Sequence, residues 1–182
     1  MAADPLPSLR AEYQRYRRLA ELALDQVADA DLCRALDPDG NSIAVLVRHL
    51  AGNLRSRFTE FLTSDGEKPW RRRDDEFAAS AASRAELLAA WRDGWDAVDR
   101  ALADVAAAGP DAGGRSVTIR GQPLSVLDAL ARSVAHGAYH PGQIVLLART
   151  CAGPAWRSRS LPRGGSAAYA ANPTRERSPD GR

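Results

Sequence analysis

Four stretches of this chain repeat their apolar residues every three to four positions, which leaves few architectures open. The first runs from about Ser8 to Val27, with Leu9, Tyr13, Tyr16, Ala20, Leu24 and Val27 near one face and a capping serine in the preceding "DPLPS". The second follows Asn41 and Ser42, either of which can cap it, and carries Ile43, Val47, Leu50, Leu54, Phe58 and Phe61. A third opens on "SRAE", where Ser83 and Glu86 stand at capping-box spacing, and continues through Leu87, Trp91, Trp95, Val98 and Leu102. The fourth runs from Ser125 to about Thr150 on Leu127, Leu130, Val134, Ile144 and Leu147. Four long amphipathic helices in 182 residues predict an all-α four-helix bundle, with a long loop between helices 2 and 3 and an irregular C-terminal tail. Between helices 3 and 4, Val117 to Ile119 reads as one short extended piece without a convincing partner.

Composition narrows the function classes. The net charge of +2 gives the whole chain no electrostatic case for nucleic acid. Its local excess of arginine after Gly153 reads as a solvated tail. The longest apolar runs, "IAVLV" and "IVLLA", are too short to span a bilayer. No signal-peptide pattern opens the sequence, and Cys33 and Cys151 match no paired spacing. A cytoplasmic protein is expected, each cysteine a small buried or half-buried residue.

The chemistry gathers on the 3 histidines, His49, His136 and His140. His136 and His140 are four apart and so share a helix face, with Cβ atoms about 5–6 Å apart. His49 lies on the second helix, and the stripes through all three carry small or polar residues: Gly52, Asn53 and Ser56 on one, Ala129, Ser133 and Gly137 on the other. Small residues opposite histidines leave room for a site between helices. Three neutral imidazoles suit zinc, nickel, iron or manganese, and three protein ligands leave a coordination position open for water or substrate. Asn53 and Gln143 are candidate acceptors for the outer ring nitrogens, whereas Tyr139 is expected to pack in the core.

The runs "NSIAVLVRHLAGNLRSRFTEFLTSDGEKPWRRRDDEF", "SVAHGAYHPGQIVLLAR" and "WRSRSLPRGGS" resemble the DinB-like (YfiT-like) metal-binding four-helix-bundle superfamily. The resemblance covers about residues 8–168 and implies one domain over residues 1–168, followed by an irregular basic tail at 169–182. It implies that His49, His136 and His140 hold a divalent metal. It also implies a homodimer and a thiol-dependent transferase-like reaction on a small molecule, with a low-molecular-weight thiol as co-substrate. The alternatives are a hydrolase and a non-catalytic, structural metal-binding homodimer.

Other residues carry narrower expectations. Glu60 and Asp128 lie too far along their helices to reach the ion. Asp74, Asp75 and Glu76 are expected to neutralise the neighbouring arginines of their loop. Trp91 and Trp95 read as core, and Trp70, in "EKPWRRR", is the candidate pocket residue. Pro141 directly follows His140 and removes the donor to the carbonyl of Gly137, which predicts a bend or widened turn between Gly137 and Gly142, or a helix break there.

Overall fold

The computed structural model describes residues 4–78, 81–158 and 161–173. Its four long helices are α1 (Leu6–Leu24), α2 (Ile43–Phe58), α3 (Arg84–Ala107) and α4 (Val126–Ala152), with a short α5 at Ser166–Ala170. Helix α2 packs along α3 and α1 along α4, while α2 also meets α4. The molecule is mainly α-helical, as its periodicity predicts.

Local chemistry explains the boundaries. Ser42 caps α2 by accepting from Val45 N at 3.3 Å. Ser83 and Glu86 close a reciprocal capping box on α3, and Ser125 accepts from Asp128 N at 3.0 Å to start α4. Helix α1 begins two residues earlier than expected, and Ser8 does not cap it. The Leu6 amide donates instead to Asp4 Oδ1 at 2.9 Å. Helix α2 stops at Phe58, short of its apolar stripe, because Thr59 turns extended and Glu60 takes a φ of 51°. Phe61 still reaches the core from beyond the turn and packs on Phe58, ring centroids 5.2 Å apart.

The core is built on Leu46, Leu50 and Leu54 of α2, Trp91, Trp95 and Leu102 of α3, and Leu130 and Ile144 of α4, all buried. Tyr13 of α1 is buried with them and donates its hydroxyl to Leu130 O at 3.0 Å. The α2–α3 crossing is close: a Cβ on Gly94 would sit 2.8 Å from the carbonyl oxygen of Ala51.

Two expectations are corrected here. Residues Ser116–Ile119 do find a partner, forming strand β1 antiparallel to β2 (Gln122–Ser125). The turn between them is Arg120–Gly121, with φ of 55° and 71°, the paired positive values of a tight two-residue hairpin turn. Secondly, α4 runs through Pro141 as one α-helix from Val126 to Ala152, without a break or a widened turn. Pro141 is buried, so packing along α4 offsets the lost hydrogen bond.

The hairpin has a structural job. Asp65, in the α2–α3 loop, accepts from the amides of Arg120 at 2.9 Å and Gly121 at 2.7 Å, as well as from Glu67 N at 2.7 Å. Gly66 N donates to Thr118 O at 2.8 Å, and Ser56 Oγ donates to Gly66 O at 2.9 Å. The loop is thereby stitched to the hairpin on one side and to α2 on the other. The backbone amides of Glu67 and then Gly121 hold the Asp65 carboxyl well below the usual carboxylate range.

Cys33 is exposed rather than buried, and Cys151 is half-buried. Among the described residues no helix is long and apolar enough to cross a membrane. Residues 174–182, most of the basic tail, lie outside the described residues.

Candidate metal centre

The three histidines converge between α2 and α4. One ligand nitrogen from each of His49, His136 and His140 lies within 4.8 Å of the others. His136 Nε2 and His140 Nε2 are 3.0 Å apart. Metal–nitrogen bonds of about 2.0–2.1 Å meeting at 90–110° place two donor atoms about 2.9–3.4 Å apart, so this pair is already spaced for one ion. His49 and His140 are buried, and His136 is half-buried.

The outer nitrogens fix which atoms face the centre. His49 Nδ1 is 3.0 Å from Glu76 Oε2, and His140 Nδ1 is 2.8 Å from Gln143 Oε1. Both oxygens accept, so each Nδ1 carries the proton and donates, which leaves each Nε2 lone pair turned inward. Burial pushes the Glu76 pKa upward, but the bonds from His49 and Arg71 outweigh it and hold the carboxyl below its ordinary value. It is therefore an anion at neutral pH. Burial first, then the neighbouring His140 and His49, push His136 down to about 4. The same burial lowers His140. Both rings are neutral at pH 7, the state a metal requires.

Glu76 is the site residue that sequence reasoning set aside as part of a self-neutralising loop. It does pair with an arginine: Arg71 Nε and Nη2 each donate to it at 2.9 Å, in a two-pronged bridge from a side chain only 2% exposed. Glu76 Oε2 accepts from both Arg71 Nη2 and His49 Nδ1, while Oε1 takes Arg71 Nε. Gly52, one turn beyond His49 on α2, makes the approach possible, since a Cβ there would lie 2.2 Å from Glu76 Oε1. The room expected between α2 and α4 at Gly52 is thus filled by a loop carboxylate. A glycine three residues after a helix histidine, facing an acid-containing loop, was the signal available for it.

The remaining candidates divide. Gln143 bonds His140 as above, and its amide nitrogen donates to the Tyr139 hydroxyl at 3.3 Å. Tyr139 is not core but 61% exposed, its ring 5.0 Å from that of His140. Asn53 bonds none of the three rings; it lies beside His136 in the wall of a cleft of about 400 Å³. Trp70 does not line that cleft, and its half-exposed ring lies 4.7 Å under the guanidinium of Arg55. Against His49 packs Phe77, with ring centroids 4.7 Å apart.

Comparison with known proteins adds one match. The model of a family described as "Protein of unknown function (DUF1572)" matches residues 1–165. No curated protein matches the chain, and no solved structure does.

Proposed function

The chain belongs to the DUF1572 family of proteins of unknown function, so its role has to be read from its own residues: we propose that it is a divalent-metal protein. In this reading His49, His136 and His140 are the ligands, one coordination position stays open, and the site performs transferase-like chemistry on a small molecule. The observation that carries it is the inward convergence of three imidazoles, two of which have their outer nitrogen engaged by an acceptor. Such acceptors orient ligating histidines and raise their basicity.

A bound divalent ion would supply a lowered pKa for a coordinated water or thiol. The protein's own part is to hold His49 through Glu76 and Arg71, hold His140 through Gln143, and keep bulk water from the buried side of the rings. The resemblance to DinB-like proteins favours a low-molecular-weight thiol as the co-substrate, and a homodimer as the working form. No acidic side chain lines the cleft beside His136, and a thiol deprotonated by the ion needs no protein base. The same lack of a base supports a second reading, in which the ion is structural.

Elemental analysis of untagged protein purified without chelator tests the proposal. One equivalent of metal per chain is expected, falling below a tenth in His49→Ala and His136→Ala. Sub-stoichiometric metal that these substitutions leave unaltered overturns both readings. Chelation then separates them. A metal-free protein that keeps its fold but no longer binds thiol supports the catalytic reading, and a collapse of melting temperature supports the structural one.

A further inference from the structure

The cleft that opens onto His136 is lined by three arginines, Arg57, Arg120 and Arg132, and by no acidic residue. Two of the three share a single carboxylate. Arg57 Nη1 and Arg120 Nε approach the same oxygen, Glu67 Oε2, at 3.1 and 2.9 Å. Arg132 makes no ion pair with any described residue. Its neighbour one turn back, Asp128, turns instead to Ser125 Oγ at 2.6 Å. Three guanidinium groups therefore line the cleft, with Glu67 paired to two of them and the Asp65 carboxylate held by the backbone amides of Arg120 and Gly121. The rest of the wall is partly apolar, including Phe61, Ile119 and Leu124. At about 400 Å³ the cleft falls within the size range of small-molecule sites.

We propose that this cleft binds the oxyanion of a small organic acid, with Arg132 as its free partner, Arg120 and Arg57 beside it, and the apolar body of the ligand against Phe61, Ile119 and Leu124. A guanidinium offers two parallel N–H donors that match a carboxylate or phosphate, which an ammonium does not. A ligand anchored there extends toward His136 and the ion. The inference deepens the metal-site reading by naming a substrate class, and it rests on that reading for the ligand's reactivity but not for its binding.

Calorimetric titration with benzoate, phenyl phosphate and the neutral amide benzamide tests it, on metal-loaded and chelated protein. At least one of the two anions is expected to bind tenfold or more tightly than benzamide, and the stronger of them identifies the oxyanion. Arg132→Gln should weaken that binding at least fivefold with metal content unchanged, and Arg120→Gln should weaken it in the same direction. Both side chains are exposed, so circular dichroism is expected to show intact folds. Equal binding of benzamide, no binding by any probe at millimolar concentration, or indifference to Arg132→Gln each overturns the proposal. Anion binding that vanishes with the metal and ignores Arg132→Gln overturns it too, by placing the anion on the ion alone. If the protein takes up no metal while anion binding still depends on Arg132, the metal reading fails and the anion site stands.

Discussion

At the residue scale, the absence of one methyl group at Gly52 governs the orientation of His49. A Cβ at Gly52 would lie 2.2 Å from Glu76 Oε1 and 2.9 Å from its Cδ. These atoms are the far end of a side chain, so Gly52→Ala expels the carboxylate from its place between His49 and Arg71. His49 then loses its acceptor while Arg71 loses both of its hydrogen bonds. Metal affinity is expected to fall about ten- to a hundredfold, the usual effect of removing such a partner, and the melting temperature to fall as well, because the Arg71 side chain, 2% exposed, is left without its carboxylate. Competition against a chelator of known affinity measures it. Glu76→Gln should give a smaller loss in the same direction, because an amide oxygen still accepts from Nδ1. The three-histidine cluster was legible in the sequence from residue type and spacing. Glu76 was not, because its partner is 27 positions away and nothing local marks which face of the loop turns inward.

At the scale of single elements, the hairpin and α4 make opposite demands on sequence reading. The hairpin was missed because its turn, Arg120–Gly121, puts an arginine at a positive φ of 55°, where asparagine, aspartate or glycine is the usual signal. What holds the arginine there is tertiary: Asp65 accepts its amide from another loop. Because folding depresses the Asp65 pKa, its contribution to stability is complete above the ordinary carboxylate value of about 4 and is lost as pH falls below it. Asp65→Asn should thus lower the melting temperature at pH 7, and the gap from the parent protein should narrow steadily on acidification. A gap independent of pH would show that charge plays no part.

In α4 the difference runs the other way: the proline predicts a break or a widened turn, and packing holds the helix continuous through it. Pro141→Ala restores the donor to Gly137 O and removes a ring clash, against some lost burial. A net gain of about 1–2 kcal/mol is expected, which corresponds to a few degrees in melting temperature for a chain of this size. Metal affinity should stay within twofold of the parent, because Gln143 and Glu76, not the proline, orient the rings.

At the scale of the whole molecule, the bundle is two close helix pairs, α2 with α3 and α1 with α4, and the histidines lie between the pairs. The α2–α3 distance is set at Gly94, where both the carbonyl oxygen and the Cα of Ala51 crowd the space of a side chain, at 2.8 and 3.0 Å. Backbone atoms cannot step aside as a side chain does. Gly94→Ala is therefore expected to destabilise the protein by about 1–3 kcal/mol, the range for overpacked cores, in a denaturant titration. The bundle itself was legible because four stripes of apolar residues admit one way of burying them together. Their order of packing was not, since a stripe says which face is inward and not which neighbour it meets.

The stitching of residues 65–68 to the hairpin and to α2 also bears on how fast an ion can enter. A segment that must fold over a ligand adds its ordering entropy to the barrier and lowers affinity by the fraction of time it spends open. Here the loop that delivers Arg71 and Glu76 is already fastened upstream by Asp65 and Gly66 and downstream by the bond from Arg48 Nη2 to Ala78 O at 2.8 Å. The three-histidine cluster and its partners are brought together on folding, so uptake of the proposed ion would be governed by its own dehydration rather than by the closing of the chain around it.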